Sequence, residues 1–268
     1  MALNECRYYS EVLGTWCTMN VIVPQISYLQ HTTGKAEGMP LARKDPKGVD
    51  HKWPTLWLLH GLGDDHSGWI RRTRIEEYAQ EAGIAVVMPA AGRSFYADMD
   101  RGGSYWTFIS EELPLAARSL FPLSPRREHN FVAGNSMGGY GAFKLALTHP
   151  DRFAAAVSLS GVLDIVFRAD PNWKEFVHIF GDLDKLKGSP NDLFHLADRL
   201  IESESPVPRL FQYCGTEDFL YEHNLRFLDY ARDLNLHVQY EEEKNSHNWA
   251  YWDRMIAKAI PLLLGDEE

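Results

Sequence analysis

Short apolar runs that alternate with helical patterns constrain the folds open to this chain more than any other feature. The predicted strands cover residues 19–26, 55–60, 84–89, 130–134, 155–160, 210–214 and 237–241. The predicted helices cover residues 70–82, 107–121, 140–149 and 249–264, with an opening or kink expected at Pro114. This order is typical of a mostly parallel central sheet with helices on both faces. We therefore predict an α/β fold.

Two stretches interrupt the alternation. Residues 34–52 are rich in Gly, Pro, Lys and Asp and are predicted to form an exposed loop. Residues 162–205 contain no apolar run of strand length, only short amphipathic pieces at 173–180 and 192–201. This second stretch is too small for a core of its own, so we predict a small helical insertion. A single domain spanning 1–268 is expected, because one α/β domain commonly reaches this size.

The charge of the chain argues against nucleic-acid binding. It carries 27 Lys and Arg against 37 Asp and Glu, a formal net charge of −10. No basic run is longer than the pairs Arg71-Arg72 and Arg126-Arg127, whereas nucleic acids are bound through clustered positive charge. No segment approaches the roughly 18 uninterrupted apolar residues that a membrane span needs. Neither a nucleic acid nor a membrane is therefore expected as a partner.

The cysteines and the first residues predict a reducing, cytoplasmic location. Cys6, Cys17 and Cys214 are an odd and sparse set without a C-x-x-C pattern. We interpret them as free thiols packed like small apolar groups. The first residues lack the basic region and apolar stretch of a signal peptide, although a chain trimmed of its leader would look the same.

The run Gly-Asn-Ser-Met-Gly at 134–138 matches G-x-S-x-G between a predicted strand and a predicted helix. In that setting the serine lies on a tight, strained turn that exposes its hydroxyl above the sheet. The following helix directs its positive end toward this hydroxyl, and the Met137 N–H can donate to a developing oxyanion. We therefore predict that Ser136 is a nucleophile, with an incidental serine in a glycine-rich turn as the alternative.

A serine nucleophile needs a base, and in this kind of site the histidine comes last along the chain. Three histidines follow the predicted strand at 210–214. His223 lies at the start of a predicted helix and His237 inside a predicted strand. His247 lies in a loop between the last predicted strand and the last helix, where a base is expected. We predict His247, with a surface histidine as the alternative.

The base needs an orienting carboxylate. Asp218 follows the predicted strand at 210–214, after a turn at Gly215, and is the predicted acid. Glu217 beside it and Asp164 after the preceding strand remain open as alternatives. Asp218 could instead cap the helix that begins near Tyr221.

A second oxyanion donor is expected in the loop after the strand at 55–60. This loop reads H-G-L-G-D-D-H at 60–66, and its two glycines allow the backbone to direct the Leu62 N–H toward the site. The same His and Asp side chains could be metal ligands, but their spacing matches no standard metal motif. We predict neither a metal nor a cofactor.

Four segments together resemble the esterase D family, within it most closely the tributyrin-esterase branch of the α/β-hydrolase superfamily. They are H-G-L-G-D-D at 60–65, G-N-S-M-G-G-Y-G-A at 134–142, C-G-T-E-D-F-L-Y at 214–221 and S-H-N-W-A-Y-W-D at 246–253. The resemblance extends from about Thr55 to the end of the chain. It implies an α/β-hydrolase fold with a triad of Ser136, Asp218 and His247.

The resemblance also implies an oxyanion hole formed by the backbone N–H groups of Leu62 and Met137. Gly61 is predicted to contact the substrate. Trp106, in G-S-Y-W at 103–106, resembles an aromatic residue beside the acyl pocket, with core packing as an alternative.

The implied function is that of a serine carboxylesterase acting on small-molecule esters. The expected acyl groups run from acetyl to butyryl, with acyl or cinnamoyl esters of carbohydrates as further substrates. Formylglutathione hydrolases usually continue H-G-L with Thr-Cys, whereas Gly63 and Asp64 stand here, which favours oxygen esters.

Several alternatives remain open. A thioesterase or an acyltransferase could use the same triad, and a non-catalytic binding protein could keep the same fold. A dinucleotide-binding enzyme is disfavoured, because G-N-S-M-G-G fits G-x-G-x-x-G poorly. Homo-oligomers are left open, since many relatives assemble.

Overall fold

The computed structural model describes residues 1–25 and 52–265, so the predicted loop at 34–52 lies outside them apart from Lys52. Within these residues the strands are β1 (Ala2–Ser10), β2 (Thr15–Val23), β3 (Thr55–Leu59), β4 (Ala85–Pro89), β5 (Asn130–Asn135), β6 (Ala155–Leu159), β7 (Arg209–Gly215) and β8 (Val238–Glu243). The α-helices there are α1 (Gly68–Arg72), α2 (Ile75–Ala82), α3 (Tyr105–Thr107), α4 (Leu113–Leu120), α5 (Met137–Thr148), α6 (Ile165–Arg168), α7 (Lys174–Phe180), α8 (Leu193–Glu202), α9 (Tyr221–Asp233) and α10 (Trp249–Leu263).

The strands form one sheet in the order β1-β2-β4-β3-β5-β6-β7-β8. Only the β1–β2 and β2–β4 pairs of this sheet are antiparallel; the remaining neighbours are parallel. The mostly parallel sheet predicted from the sequence is thereby confirmed. The strands from β3 to β8 all end at one edge, which we call the C-terminal edge, and polar loops from several strands meet there.

Apolar cores cover both faces of the sheet, as predicted. In β3, Trp57 and Leu59 belong to one core, whereas Leu56 and Leu58 belong to the other, because successive side chains of a strand point to opposite faces. Helices α5 and α9 cover the first face, and α2 and α10 cover the second. The helices thus hold the sheet rigid beneath the loops of the C-terminal edge.

Two elements differ from the prediction. Strand β1 was not expected, and the single helix predicted at 70–82 is divided into α1 and α2. Thr73 causes the division: its hydroxyl donates to the Trp69 carbonyl at 2.5 Å and accepts from the Ile75 N–H at 3.2 Å. One side chain therefore ends the first helix and begins the second.

The predicted opening at Pro114 takes the form of a π-helical turn over Phe108–Glu112. Proline has no N–H to donate to the Ser110 carbonyl, and Arg152 donates to that oxygen instead, at 2.9 Å. The Glu112 carboxylate accepts the Glu11 N–H at 2.6 Å and the Ser10 hydroxyl. The widened turn therefore ties this helix to the hairpin between β1 and β2.

The 162–205 stretch is helical and contains no strand, as predicted. Leu193, Leu196 and Leu200 of α8 belong to the same core as α5, so the insertion shares the core of the sheet. Across residues 1–25 and 52–265, no helix is long and apolar enough to cross a membrane.

Candidate active site

Ser136 lies on the sharp turn between β5 and α5, at the C-terminal edge. Its backbone angles are φ 55° and ψ −118°, which a residue with a side chain adopts only under strain. A Cβ on Gly134 would lie 2.4 Å from the Gly138 backbone, and one on Gly138 would lie 2.3 Å from the Leu59 carbonyl oxygen. The turn therefore requires both glycines of the G-x-S-x-G pattern.

The acid and base candidates form a bonded pair. Nδ1 of His247 lies 3.0 and 2.8 Å from the two carboxylate oxygens of Asp218, whose side chain is fully buried. One of these oxygens also accepts the Leu220 N–H at 2.8 Å. The carboxylate holds the proton on Nδ1, which leaves Nε2 as the basic atom. Nε2 has no hydrogen bond to any residue that the structure describes.

Backbone contacts hold the two loops of this pair together. The Thr216 N–H donates to the Glu243 carbonyl and the Glu217 N–H to the Asn245 carbonyl, both at 2.9 Å. A Cβ on Gly215 would lie 2.1 Å from the Asn245 oxygen. The loops after β7 and β8 can approach this closely only with glycine at 215, so the turn predicted there brings Asp218 and His247 together.

A series of contacts connects the Ser136 turn with His247. The Ser136 N–H donates to the Leu159 carbonyl at 2.8 Å, and the next residue, Ser160, accepts from Nε1 of Trp252 at 3.1 Å. The Trp252 ring lies edge-on to His247, with centroids 4.8 Å apart. The orientation of the imidazole is thereby coupled to the end of β6.

Sequence reasoning missed two aromatic residues that contact this imidazole. Trp252 was read only as part of the S-H-N-W-A-Y-W-D run. The Phe219 ring lies 4.5 Å from that of His247 while its side chain is 70% exposed. A phenylalanine directly after the predicted acid Asp218 was the available signal.

The alternative acids are engaged elsewhere. Glu217 is exposed, with Lys244 at 3.5 Å. The Asp164 carboxylate is buried, accepts the Phe167 N–H at 2.8 Å and is bonded by Nε of Arg226 at 2.7 Å. Neither carboxylate is bonded to a histidine ring of residues 1–25 or 52–265.

The alternative bases are also placed differently from His247. His223 lies in the first turn of α9 and donates from Nδ1 to the Asp164 backbone carbonyl at 3.1 Å. Burial lowers the pKa of His223 below its ordinary value. His237 is exposed and precedes β8. The prediction that it lies inside the strand is therefore wrong.

The loop at residues 60–63, which we call the oxyanion loop after its predicted role, is oriented by the His60 ring. The Ala91 N–H donates to Nε2 of His60 at 3.0 Å, so Nδ1 carries the proton and donates to the Gly61 carbonyl at 2.8 Å. The Gly61 carbonyl and the Leu62 N–H belong to one planar peptide and point in opposite directions. The bond at Gly61 therefore determines where the Leu62 N–H points, while Met137 supplies the first N–H of α5.

The metal alternative at 60–66 does not fit these contacts. Both ring nitrogens of His60 are used by the backbone, and burial lowers its pKa. Asp64 is bonded by Arg71 at 3.1 Å. Among residues 1–25 and 52–265, no group of three or more His, Cys, Asp and Glu side chains could hold a metal ion.

Trp106 lies along the second half of α5. Its ring is stacked on His149 with centroids 5.7 Å apart, and Nζ of Lys144 lies 4.3 Å from its centre. Lys144 is eight residues beyond Ser136, about 12 Å along a helix. These contacts fit core packing, and the predicted acyl-pocket role of Trp106 stays a prediction.

A cavity of about 460 Å³ opens between the insertion and α9, within the size range of ligand pockets. Its lining includes Asp164, Phe167, Lys187, His195, Arg226 and Tyr230, but not Ser136, Asp218 or His247. Its volume alone therefore does not identify it as the reaction site.

A family model described as a putative esterase matches residues 39–263. An acetyl esterase of Caldicellulosiruptor saccharolyticus is 30% identical to this chain over 271 residues, which cover 97% of each chain. The relationship therefore spans nearly the whole sequence.

Solved structures extend the likeness to three dimensions. FphF, a fluorophosphonate-binding serine hydrolase of Staphylococcus aureus, is 37% identical, with 99% of each chain covered and a TM-score of 0.85. An S-formylglutathione hydrolase (FrmB) from Staphylococcus aureus is also 37% identical, with 98% of each chain covered and a TM-score of 0.81. These likenesses confirm the α/β-hydrolase fold.

Proposed function

The chain belongs to the esterase family and is a carboxylic ester hydrolase, and we propose that it cleaves short-chain acyl esters through an acyl-enzyme at Ser136. The observation that carries this proposal is the bond between buried Asp218 and Nδ1 of His247. This pair lies at the same edge of the sheet as the strained Ser136 turn. A strained serine, an oriented imidazole and two backbone donors are the parts that acyl transfer requires.

In the first half of the reaction, Nε2 of His247 accepts the Ser136 proton as Oγ bonds to the carbonyl carbon. The oxyanion that forms accepts hydrogen bonds from the Leu62 and Met137 N–H groups. The bond to the alcohol oxygen then breaks, and the imidazolium donates its proton to that oxygen. Asp218 stabilises the imidazolium throughout.

In the second half, water attacks the acyl group on Ser136 while His247 accepts a proton from the water. When the tetrahedral intermediate collapses, that proton passes to Oγ of Ser136 and a carboxylic acid leaves. Every step uses groups of this chain and water, so the proposed mechanism needs no cofactor.

Ser136→Ala tests the proposal directly. Turnover of an acetyl ester should fall by a factor of about 10⁴ or more, because the members of a triad act as a unit. The thermal midpoint should change little, because the side chain loses only its hydroxyl. A fluorophosphonate should label the wild type at Ser136 and should not label the variant. Labelling at another serine would contradict the assignment.

We propose acyl groups from acetyl to butyryl, including acyl or cinnamoyl esters of carbohydrates. The name of the acetyl esterase relative supports the short end of this range. The insertion exposes an ion pair between Asp182 and Lys185, at 3.1 Å, which is not a surface suited to long acyl chains. Each added methylene contributes about 0.8 kcal/mol only if an apolar wall receives it. A kcat/KM that keeps rising beyond about eight acyl carbons would contradict this range.

A thioesterase is the second candidate, because one of the structures that match over 98% of this chain is an S-formylglutathione hydrolase. Gly63 and Asp64 depart from the Thr-Cys expected of that group. Paired assays on acetyl oxygen esters and acetyl or formyl thioesters separate the two. A higher kcat/KM for thioesters would favour the second candidate.

We further propose that residues 1–268 act as one domain in the cytoplasm, on a small-molecule ester and with no nucleic-acid or membrane partner. The free thiols Cys6, Cys17 and Cys214 support a reducing location. The core shared by the insertion and α5 supports a single domain. Light scattering of the purified protein would test whether it also forms a homo-oligomer.

A further inference from the structure

Tyr96 is a buried side chain that the proposed mechanism does not use, although it contacts the oxyanion loop. It is fully buried, and it follows Phe95 in a turn where both residues have positive φ, 48° and 50°. Two bulky residues in succession in this region are costly. Such a conformation persists only where the surroundings impose it.

The Tyr96 ring is wedged between α5 and the oxyanion loop. Its hydroxyl donates to the His60 carbonyl at 2.8 Å. A Cβ on Gly141 would lie 2.5 Å from the ring, so the ring packs directly against the backbone of α5. Tyr96 therefore sets the spacing between that helix, which begins at Met137, and the loop that contains Leu62.

Lys144 contacts the backbone of Tyr96. Its Nζ donates to the Tyr96 backbone carbonyl at 3.0 Å and to Oδ1 of Asn191 at 2.7 Å, and it lies over the Trp106 ring. The three N–H groups of an ammonium thus meet two oxygens and an indole face. Burial lowers the pKa of Lys144 to about 7, opposed by the carboxylate of Asp98. Lys144 lies one helical turn after Gly141, where the Tyr96 ring packs against α5.

Two consecutive peptides of the oxyanion loop are fixed in this way. The Tyr96 hydroxyl fixes the peptide between His60 and Gly61, and Nδ1 of His60 fixes the peptide that carries the Leu62 N–H. A donor stabilises an oxyanion only when it lies about 2.7–3.1 Å from the place where the charge develops. A small rotation of the first peptide would move the second and misplace this donor.

We propose that Tyr96 is a positioning residue for the oxyanion loop and that Lys144 fixes Tyr96 in place. This inference rests on the proposed function, because it requires the Leu62 N–H to act as an oxyanion donor. It assigns Tyr96 an effect on the transition state and none on the binding of the ground-state ester.

Tyr140→Phe is a matched control for Tyr96→Phe. Both tyrosines are fully buried, and each hydroxyl donates to one backbone carbonyl at 2.8 Å, that of His60 for Tyr96 and that of Asn191 for Tyr140. The two variants lose the same kind of bond, so their thermal midpoints should fall by similar amounts. Only the Tyr96 bond ends in the oxyanion loop.

Tyr96→Phe should lower kcat for an acetyl ester on the order of tenfold with KM within about twofold. Tyr140→Phe should leave both constants within about twofold of the wild type. Equal kcat losses in the two variants, or a rise in KM alone for Tyr96→Phe, would overturn the proposal.

Lys144→Met provides an independent test of the same series of contacts. This substitution should also lower kcat more than it changes KM. In the double variant with Tyr96→Phe, kcat should fall by less than the product of the two single factors. If the factors by which the two single substitutions lower kcat multiply in the double variant, Lys144 does not act through Tyr96. If Lys144→Met does not fold, the two tyrosine variants still decide the matter.

These results are separable from a failure of the proposed function. A wild type that cleaves no ester, or a Ser136→Ala variant that keeps its activity, would refute the proposed function. An active wild type whose Tyr96→Phe and Tyr140→Phe variants behave alike would refute only the positioning role.

Discussion

Two pairs of aspartate and histidine lie at the C-terminal edge of the sheet, and they are built differently. After β7, the carboxylate of Asp218 bonds Nδ1 of His247. After β6, Asp164 offers His223 only its backbone carbonyl, because its carboxylate is bonded by Arg226. Both carboxylates are buried, and both accept a backbone N–H two or three residues further along.

The comparison shows that burial beside a histidine does not make a carboxylate an orienting acid. A guanidinium is always charged, so Asp164 is committed to an ion pair and cannot respond when an imidazole gains a proton. Within the part of the chain that the structure describes, the ion-pair partner of Asp218 is His247, which becomes a cation in the proposed mechanism. The direction of the carboxylate distinguishes the two pairs, and substitutions at matched positions test that distinction.

The largest difference is expected between the two histidines. His247→Ala should reduce kcat by about 10⁴ or more, whereas His223→Ala should stay within about threefold of the wild type because His223 faces a carbonyl. Steady-state rates on an acetyl ester measure both. Comparable losses in the two variants would show that the two pairs do not differ in function.

The pH profile of these variants identifies the base independently. An imidazole must be neutral to accept the Ser136 proton, so kcat/KM should fall on acidification. His223→Ala should keep this acidic limb unshifted. If His247→Ala retained it together with substantial turnover, another histidine would be the base.

The two carboxylates should differ by a smaller factor. Asp218→Asn should lower kcat by about 10²–10⁴, because the imidazole loses its orienting partner and the stabilisation of its cation. Asp164→Asn should cost less than about tenfold, and its main effect should be on stability. A more damaging Asp164→Asn would place the acid after β6.

A stability effect without a catalytic effect is expected at Arg226. Arg226→Met leaves the Asp164 carboxylate buried without its cation, but the arginine side chain is 47% exposed, so water screens much of the loss. We expect unfolding to become easier by about 1 kcal/mol, with kcat unchanged. Urea denaturation measures the first and an ester assay the second. A fall in kcat with unchanged stability would mean that the two pairs are not independent.

The smallest effect concerns the ionisation of His223. Burial lowers its pKa below the ordinary value of 6.5, so below that pH the unfolded chain binds a proton that the folded chain does not. The contribution of His223 to stability is therefore fully present above about pH 6.5 and is lost as the pH falls. Urea denaturation at pH 8 and at pH 5.5 measures the effect. Between these pH values, the free energy of unfolding should fall more in the wild type than in His223→Phe. In His237→Ala, a substitution at an exposed position, the free energy of unfolding should fall as much as in the wild type.

The parallel strands along the chain and most of the candidate site residues could be predicted from local sequence. The parallel strands from β3 to β6 are continuous apolar runs, whereas β8 reads V-Q-Y-E-E-E. Ser136, Asp218 and His247 each follow a parallel strand in a fixed order along the chain. Strand β1 was not predicted, because Asn4, Glu5 and Arg7 interrupt its apolar residues. An exposed strand at the edge of a sheet can carry such charged and polar side chains. The roles of the three site residues remain predictions.

Contacts between distant parts of the chain could not be read in this way. Arg226 is 62 residues from Asp164, and Tyr96 is 36 residues from His60. Neither partner carries a local signal, because an arginine in a helix or a tyrosine after a phenylalanine has many uses. The positive φ of Tyr96 is invisible for the same reason, since only glycine or asparagine would have suggested it.

The π-helical turn at Phe108–Glu112 makes this part of the chain sensitive to its own length. Such a turn holds one residue more than an α-helical turn, so the extra residue is accommodated locally and does not rotate the two halves of the helix by the roughly 100° that one residue spans in a regular α-helix. Glu111 pairs with Arg152 while Glu112 caps the β1–β2 hairpin, so two adjacent residues of the turn serve two different parts of the fold. Deleting one residue of the turn would therefore leave the helix in place but would lose one of these two contacts. A one-residue gap in an alignment at this position would mark relatives whose first hairpin is anchored by other means.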